Sequence, residues 1–172
     1  MQIAYTMAPG RGDTDLLLFR LSETLAARGL TICGAVQINT DRVEGFCDME
    51  VNVLPGGPRL RISQDLGLAS KGCRLDPAVL ETAVGLVSSR LNKDVDVLII
   101  NKFGKHEAEG RGFRTAIAEA IGLGLPVLVG VNARNLTAFL EFVGSDAVFV
   151  VPSETALTQW CEDAVTEQEK VA

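Results

Sequence analysis

Apolar residues along this chain fall into two recurring patterns. Short, nearly unbroken apolar runs cover Gln2 to Thr6, Leu30 to Ile38, Val95 to Ile100, Pro126 to Val131 and Ala147 to Val151. Runs of this length and continuity predict strands, the first four of them buried as in a parallel sheet. Between them, apolar residues recur at helical spacing. Leu17, Leu18, Leu21 and Leu25 give the stretch from about Thr14 to Arg28 one apolar face. Val79, Leu80, Ala83, Leu86, Val87 and Leu91 do the same from Asp76 to about Asn92. Further helices are predicted over Phe113 to Gly122, Leu136 to Val143 and Ser153 to about Val165. The punctuation agrees: Gly29 and Gly124-Leu125-Pro126 are stops, while Asp76-Pro77 and Ser153 are starts.

One region breaks the alternation. Cys47 to Leu54 and Arg59 to Ser63 change character with period two, and Pro55-Gly56-Gly57-Pro58 lies between them. That predicts a β-hairpin with one polar face, inserted in or flanking the sheet. Gly67 to Gly72 reads as loop. Strands alternating with helices imply a mainly parallel sheet with helices on both faces. The expectation is a single α/β domain over residues 1–166, with a frayed tail at 167–172.

Composition then removes function classes. The 172 residues carry a net charge of −6, which argues against a nucleic-acid partner. No run is long enough to span a membrane, and the start shows no secretory pattern. The four cysteines (Cys33, Cys47, Cys73, Cys161) are scattered and there is one histidine, a poor basis for a zinc site. The expectation is reduced thiols in a cytoplasmic protein.

The candidate chemistry starts after the first strand. Met7-Ala8-Pro9-Gly10-Arg11-Gly12-Asp13-Thr14 has the placement of a phosphate-binding loop, G-x-x-x-x-G-K-[ST], whose backbone N–H groups cradle an anion. Gly12 and Thr14 fit that pattern, and Gly10 adds a second glycine within the loop. Met7 replaces the first glycine, and Asp13 replaces the lysine that grips phosphate. Pro9, Gly10, Arg11, Gly12, Asp13 and Thr14 are thus the first anion-binding candidates, with Thr14 the candidate magnesium ligand. The alternative role for Asp13 is helix N-terminal stabilisation. A second segment, Asn101-Lys102-Phe103-Gly104-Lys105-His106-Glu107-Ala108-Glu109-Gly110, follows a predicted central strand, where open α/β sheets place their ligands. Arg134 follows the next strand.

These two segments, Gly34 and the hairpin resemble the small nucleoside-triphosphatase family of P-loop proteins. The second segment is most similar to a bacterial branch of that family carrying Asn-[Arg/Lys]-Phe-Gly-Lys-x-Glu-Ala-Glu-Gly, often encoded near molybdate-transport genes. The resemblance spans nearly the whole chain and implies a three-layer P-loop NTPase-like fold. It implies nucleotide contacts at Gly10, Gly12 and Thr14, and a second motif at Gly104 and Glu107. It also makes Asp13, Asn101 and Lys102 departures at the phosphate, metal and water positions.

A cation lost at position 13 and one gained at position 102 suggest two arrangements. Either Asp13 and Lys102 pair, or Lys102 takes the loop lysine's place on an anion. The expected function is a nucleotide- or oxyanion-binding accessory or regulatory protein, with hydrolysis in doubt and a link to molybdenum metabolism by family association. The alternative is an active triphosphatase that uses magnesium with a nucleotide and draws on Lys102, Glu107 or Asp15. A protein partner is a third possibility. His106 is expected to be an exposed loop residue.

Overall fold

The computed structural model describes residues 2–41, 47–64, 74–144 and 146–170. The predicted Gly67–Gly72 loop and Cys73 lie outside them. Among the described residues seven strands form one sheet: β1 (Ile3–Thr6), β2 (Ile32–Asp41), β3 (Cys47–Leu54), β4 (Arg59–Arg61), β5 (Val97–Phe103), β6 (Val127–Val131) and β7 (Val148–Phe149), in the order β4-β3-β2-β5-β6-β1-β7. Pairing is parallel from β2 through β5, β6 and β1 to β7, and antiparallel along β2-β3-β4. The fold is therefore a mixed α/β architecture, a mainly parallel sheet with a small antiparallel flank. The hairpin turns at Pro55–Pro58, where Gly57 N donates to Val53 O and Val53 N to Pro58 O.

The helices are α1 (Asp13–Ala27), α2 (Pro77–Ser88), α3 (Lys105–Ala108), α4 (Arg114–Leu123), α5 (Leu136–Val143) and α6 (Glu154–Glu169). Two core layers flank the sheet. Leu18, Leu21 and Leu25 of α1 pack with Leu157 and Cys161 of α6 on Ala4, Val97, Ile99 and Leu128. On the other side, α2, α4 and α5 cover Ile3, Leu98, Ile100, Val127 and Val129. Consecutive residues of β1, β5 and β6 feed opposite layers, which is why those strands read as unbroken apolar runs, whereas Val148 and Phe149 of the edge strand β7 are exposed. Asp76 caps α2 by accepting from Ala78 N and Val79 N, and Ser153 Oγ caps α6 by accepting from Ala156 N.

Some boundaries differ from expectation. The last helix runs to Glu169 rather than ending near Val165. It is tied down along its length: Glu162 pairs with Arg28, and Glu167 accepts from Gln2 Nε2. Strand β5 continues through Asn101 and Lys102 to Phe103 instead of stopping at Ile100. Among the described residues, no helix is long and apolar enough to cross a membrane.

Candidate anion site at the carboxyl ends of the strands

The loop between β1 and α1 is held by few bonds. Ala8 N donates to Thr14 Oγ1 at 2.9 Å, and Leu16 N to Gly12 O at 3.0 Å. Gly12 sits at φ +84°, a left-handed conformation that suits glycine. Pro9, Gly10 and Arg11 are exposed. Asp13 folds back over the loop: a Cβ on Gly10 would lie 2.0 Å from Asp13 Oδ2. Met7 is half-buried against the α2/α4/α5 core layer. The N–H groups of Thr14 and Asp15 are in the first turn of α1, where no intrahelical acceptor exists.

Lys102 reaches this loop because the sheet is irregular beneath it. Asn101 is in register with Gly130, yet Phe103 is in register with Val131, so Lys102 is the extra residue of a bulge. Strict alternation would put Lys102 on the α2/α4 face and Phe103 under α1. The bulge instead puts Phe103 in the α2/α4/α5 core layer and frees Lys102 for the α1 side. The Asn101–Lys102 peptide bond is cis.

Lys102 Nζ lies 3.9 Å from Asp15 Oδ2. The partner expected from the sequence was Asp13; the structure sets Asp15 there, because its position in the first turn of α1 faces the sheet while Asp13 faces out. Asp15 is 4% exposed. Its Oδ1 accepts from Asn101 Nδ2 at 2.9 Å, and its Oδ2 from Asn39 Nδ2 at 2.5 Å and Gln37 Nε2 at 3.3 Å. Gln37 Nε2 also donates to Asn39 Oδ1 at 2.7 Å. Gln37 and Asn39 were not singled out by sequence. Their signal was two amides at i and i+2, hence on one face, at the end of β2.

Arg134 is exposed in a 3-10 turn (Ala133–Asn135) that Asn132 Oδ1 caps by accepting from Asn135 N. Lys102, Arg134 and Arg11 thus follow or end β5, β6 and β1, three adjacent strands.

Glu107 faces elsewhere. Its Oε2 accepts from Gly104 N at 2.9 Å and its Oε1 from Phe113 N at 3.2 Å. It closes the α3 turn, and burial holds its carboxyl above the usual carboxylate range. His106 corrects the expectation of an exposed loop residue. It is 8% exposed, with Nε2 2.9 Å from Glu81 Oε1, because the short α3 turns it inward against α2.

Magnesium fits these residues poorly. A P-loop metal site pairs the loop hydroxyl with a strand-end carboxylate. Here the strand end offers Asn101, a neutral donor. A Cβ on Gly130 would lie 2.8 Å from Asn101 Oδ1 and 3.0 Å from the Thr14 methyl, so that oxygen faces the packed floor. Asp15 already accepts three amide N–H groups.

Residues 3–160 match the profile of DUF2478, described as a protein of unknown function. Over 171 residues, 99% of this chain, the sequence is 33% identical to the molybdenum import ATP-binding protein ModC 2 of Bradyrhizobium diazoefficiens; the chain spans 19% of that protein's length. Two solved structures share the fold at 18% identity. The solution structure of a human cancer-related nucleoside triphosphatase aligns over all of both chains with a TM-score of 0.63. THEP1 from the hyperthermophile Aquifex aeolicus aligns over 98% of this chain and 99% of its own with a TM-score of 0.67.

Proposed function

We propose that this chain, which belongs to the DUF2478 family of proteins of unknown function, binds a phosphate-like anion at the β1–α1 loop without hydrolysing it. The observation that carries this reading is the bulged Lys102, whose ammonium stands beside the first turn of α1. It returns to the site the cation that Asp13 removes from the loop. Arg11 and Arg134 on the neighbouring strand ends add to the attraction, and the N–H groups of the first turn favour an anion.

Hydrolysis lacks its parts. The position where a P-loop triphosphatase keeps the carboxylate that orients water holds Lys102, and the metal position holds Asn101. Glu107 has both oxygens committed to backbone N–H groups. A binding or sensing role suits such a site. The likeness to a protein named for molybdenum import supports an accessory role beside oxyanion transport.

The test is isothermal titration of the full chain and of Lys102→Ala with phosphate, sulfate, molybdate, ADP and ATP, with and without magnesium. A phosphate-release assay runs in parallel. Saturable binding that Lys102→Ala abolishes, with no phosphate released, is the expected result. Unchanged affinity in Lys102→Ala, or steady phosphate release, would overturn the reading.

A further inference from the structure

We propose that the buried Asp15 carboxylate makes this site selective for small tetrahedral dianions, the class of sulfate, phosphate and molybdate, over nucleoside triphosphates. The inference rests on the anion-binding reading above and names its ligand class.

Asp15 is held without help from Lys102. Two amide N–H groups reach its Oδ2 and a third reaches its Oδ1. Lys102, at 3.9 Å and with its side chain 40% exposed, sits beyond ordinary hydrogen-bond distance. Its protons therefore remain available to an outside ligand. Asp15 in turn cannot follow Lys102 away, because Gln37, Asn39 and Asn101 fix it. Any anion that Lys102 accepts must lie near a fixed negative charge.

That arrangement sets a limit on ligand charge. Lys102 stands beside Asp15, Arg11 shares the β1–α1 loop with Asp13, and Arg134 lies just after the neighbouring strand β6, so three cations meet two carboxylates at these strand ends and leave a small positive balance. One compact dianion can take Lys102 and the first-turn N–H groups while its charge is nearly matched. A triphosphate brings about twice that charge and must run its chain along the loop. There Asp13, lying over Gly10, repels it. An ordinary P-loop has a lysine at that point.

The test is a ligand ranking on the full chain at constant ionic strength. Affinities of sulfate, phosphate, molybdate, ADP and ATP are measured by isothermal titration, with and without magnesium. The wild-type protein is compared with Asp15→Asn and with Glu23→Gln, an exposed position on α1 outside the site. At least one dianion should bind tenfold or more tightly than ATP in the wild type and in Glu23→Gln. Asp15→Asn should narrow that ratio several-fold, a change in relative affinity that mere loss of packing would not produce. ATP binding as tightly as the best dianion in the wild type overturns the selectivity while leaving anion binding in place. No binding by any of the five overturns the anion site itself. If Asp15→Asn does not fold, the wild-type ranking alone decides.

Discussion

His106 Nε2 lies 2.9 Å from Glu81 Oε1, and that same oxygen accepts the backbone N–H of Gly112 at 3.1 Å. One carboxylate on α2 thereby ties down both α3 and the entry to α4, on the side of the sheet away from the anion loop. The cavity beside it, about 430 Å³, is lined by Pro77, Ala78, Arg111 and Thr115 as well. Removing the carboxylate leaves a buried imidazole and a buried N–H without their acceptor. Glu81→Ala should therefore cost about 2 kcal/mol in urea unfolding, with anion affinity unchanged. A cost below about 0.5 kcal/mol would make the contact a surface pair of the ordinary weak kind.

Lys102 and Asp15 should separate function from stability. Lys102→Ala removes one partner of a half-exposed pair, so its stability cost should stay under about 1 kcal/mol while anion binding disappears. Asp15→Ala leaves the buried Asn101 amide without its acceptor and strips Gln37 and Asn39 of theirs on the carboxylate, and should cost about 2–3 kcal/mol. Denaturant midpoints for the two variants, compared with wild type at one pH, check the asymmetry. Equal costs would mean that Lys102 is part of the structural lattice and not a free ammonium.

Glu107 gives a pH signature. Burial raises its carboxyl above the ordinary value of 4.5, so the folded state favours the protonated form. Its contribution to stability is present in full below that ordinary value and is lost as pH rises through the raised one. Glu107→Gln fixes the neutral form. The stability difference between wild type and Glu107→Gln should then shift in favour of the variant as pH increases from 4 toward 8. Urea midpoints across that range would show it; a difference that stays flat would mean the carboxyl titrates alike in both states.

The strand and helix order was legible because buried strands and one-faced helices have different periods. Leu17, Leu18, Leu21 and Leu25 announce α1, and the apolar run ending at Ile100 announces β5. The site was only partly legible. Asp13, Thr14, Asn101 and Lys102 stand out because a motif assigns them positions. Charge alone pairs Asp13 with Lys102, and the structure brings in Asp15 instead. What decided this is a register shift between Asn101 and Phe103, a one-residue event that leaves no composition signal. Gln37 and Asn39 escaped for another reason. An amide at a strand end is ordinary until a buried carboxylate is known to face it. For His106 the flanking charges suggest exposure, while a four-residue helix turns the side chain inward.

The cysteines should divide sharply. Burial pushes the Cys33 thiol up to about 11 and the Cys161 thiol up to about 12, so neither supplies thiolate near neutral pH. Cys47 is half-buried on the hairpin. Alkylation of the native protein at pH 8, read residue by residue by mass spectrometry, should label Cys47 well before Cys33 or Cys161. The latter two should react only at the rate of unfolding. Fast labelling of either would mean that its core layer opens locally.

Glycine-to-alanine substitutions at positions 34 and 85 should have opposite signs. Gly34 is the third residue of β2, between Leu54 of β3 and Ile99 of β5. Its φ is +135°, and a Cβ there would fall 1.9 Å from the Ile99 carbonyl oxygen. That oxygen is backbone in a central strand, so relief requires the β2–β5 pairing to move, and with it the strand that carries Asn101 and Lys102. Gly34→Ala should cost about 4 kcal/mol or more, enough to lower soluble yield sharply. Gly85 lies on the exposed side of α2, and an added Cβ meets nothing within 4 Å. There the methyl only restricts the unfolded chain and favours helix, so Gly85→Ala should add about 0.5–1 kcal/mol. Thermal unfolding of both variants beside wild type checks the pair. Tolerance of Gly34→Ala would mean that β2 and β5 do not approach as closely as this register requires, and the placement of Lys102 beside α1 would fall with it.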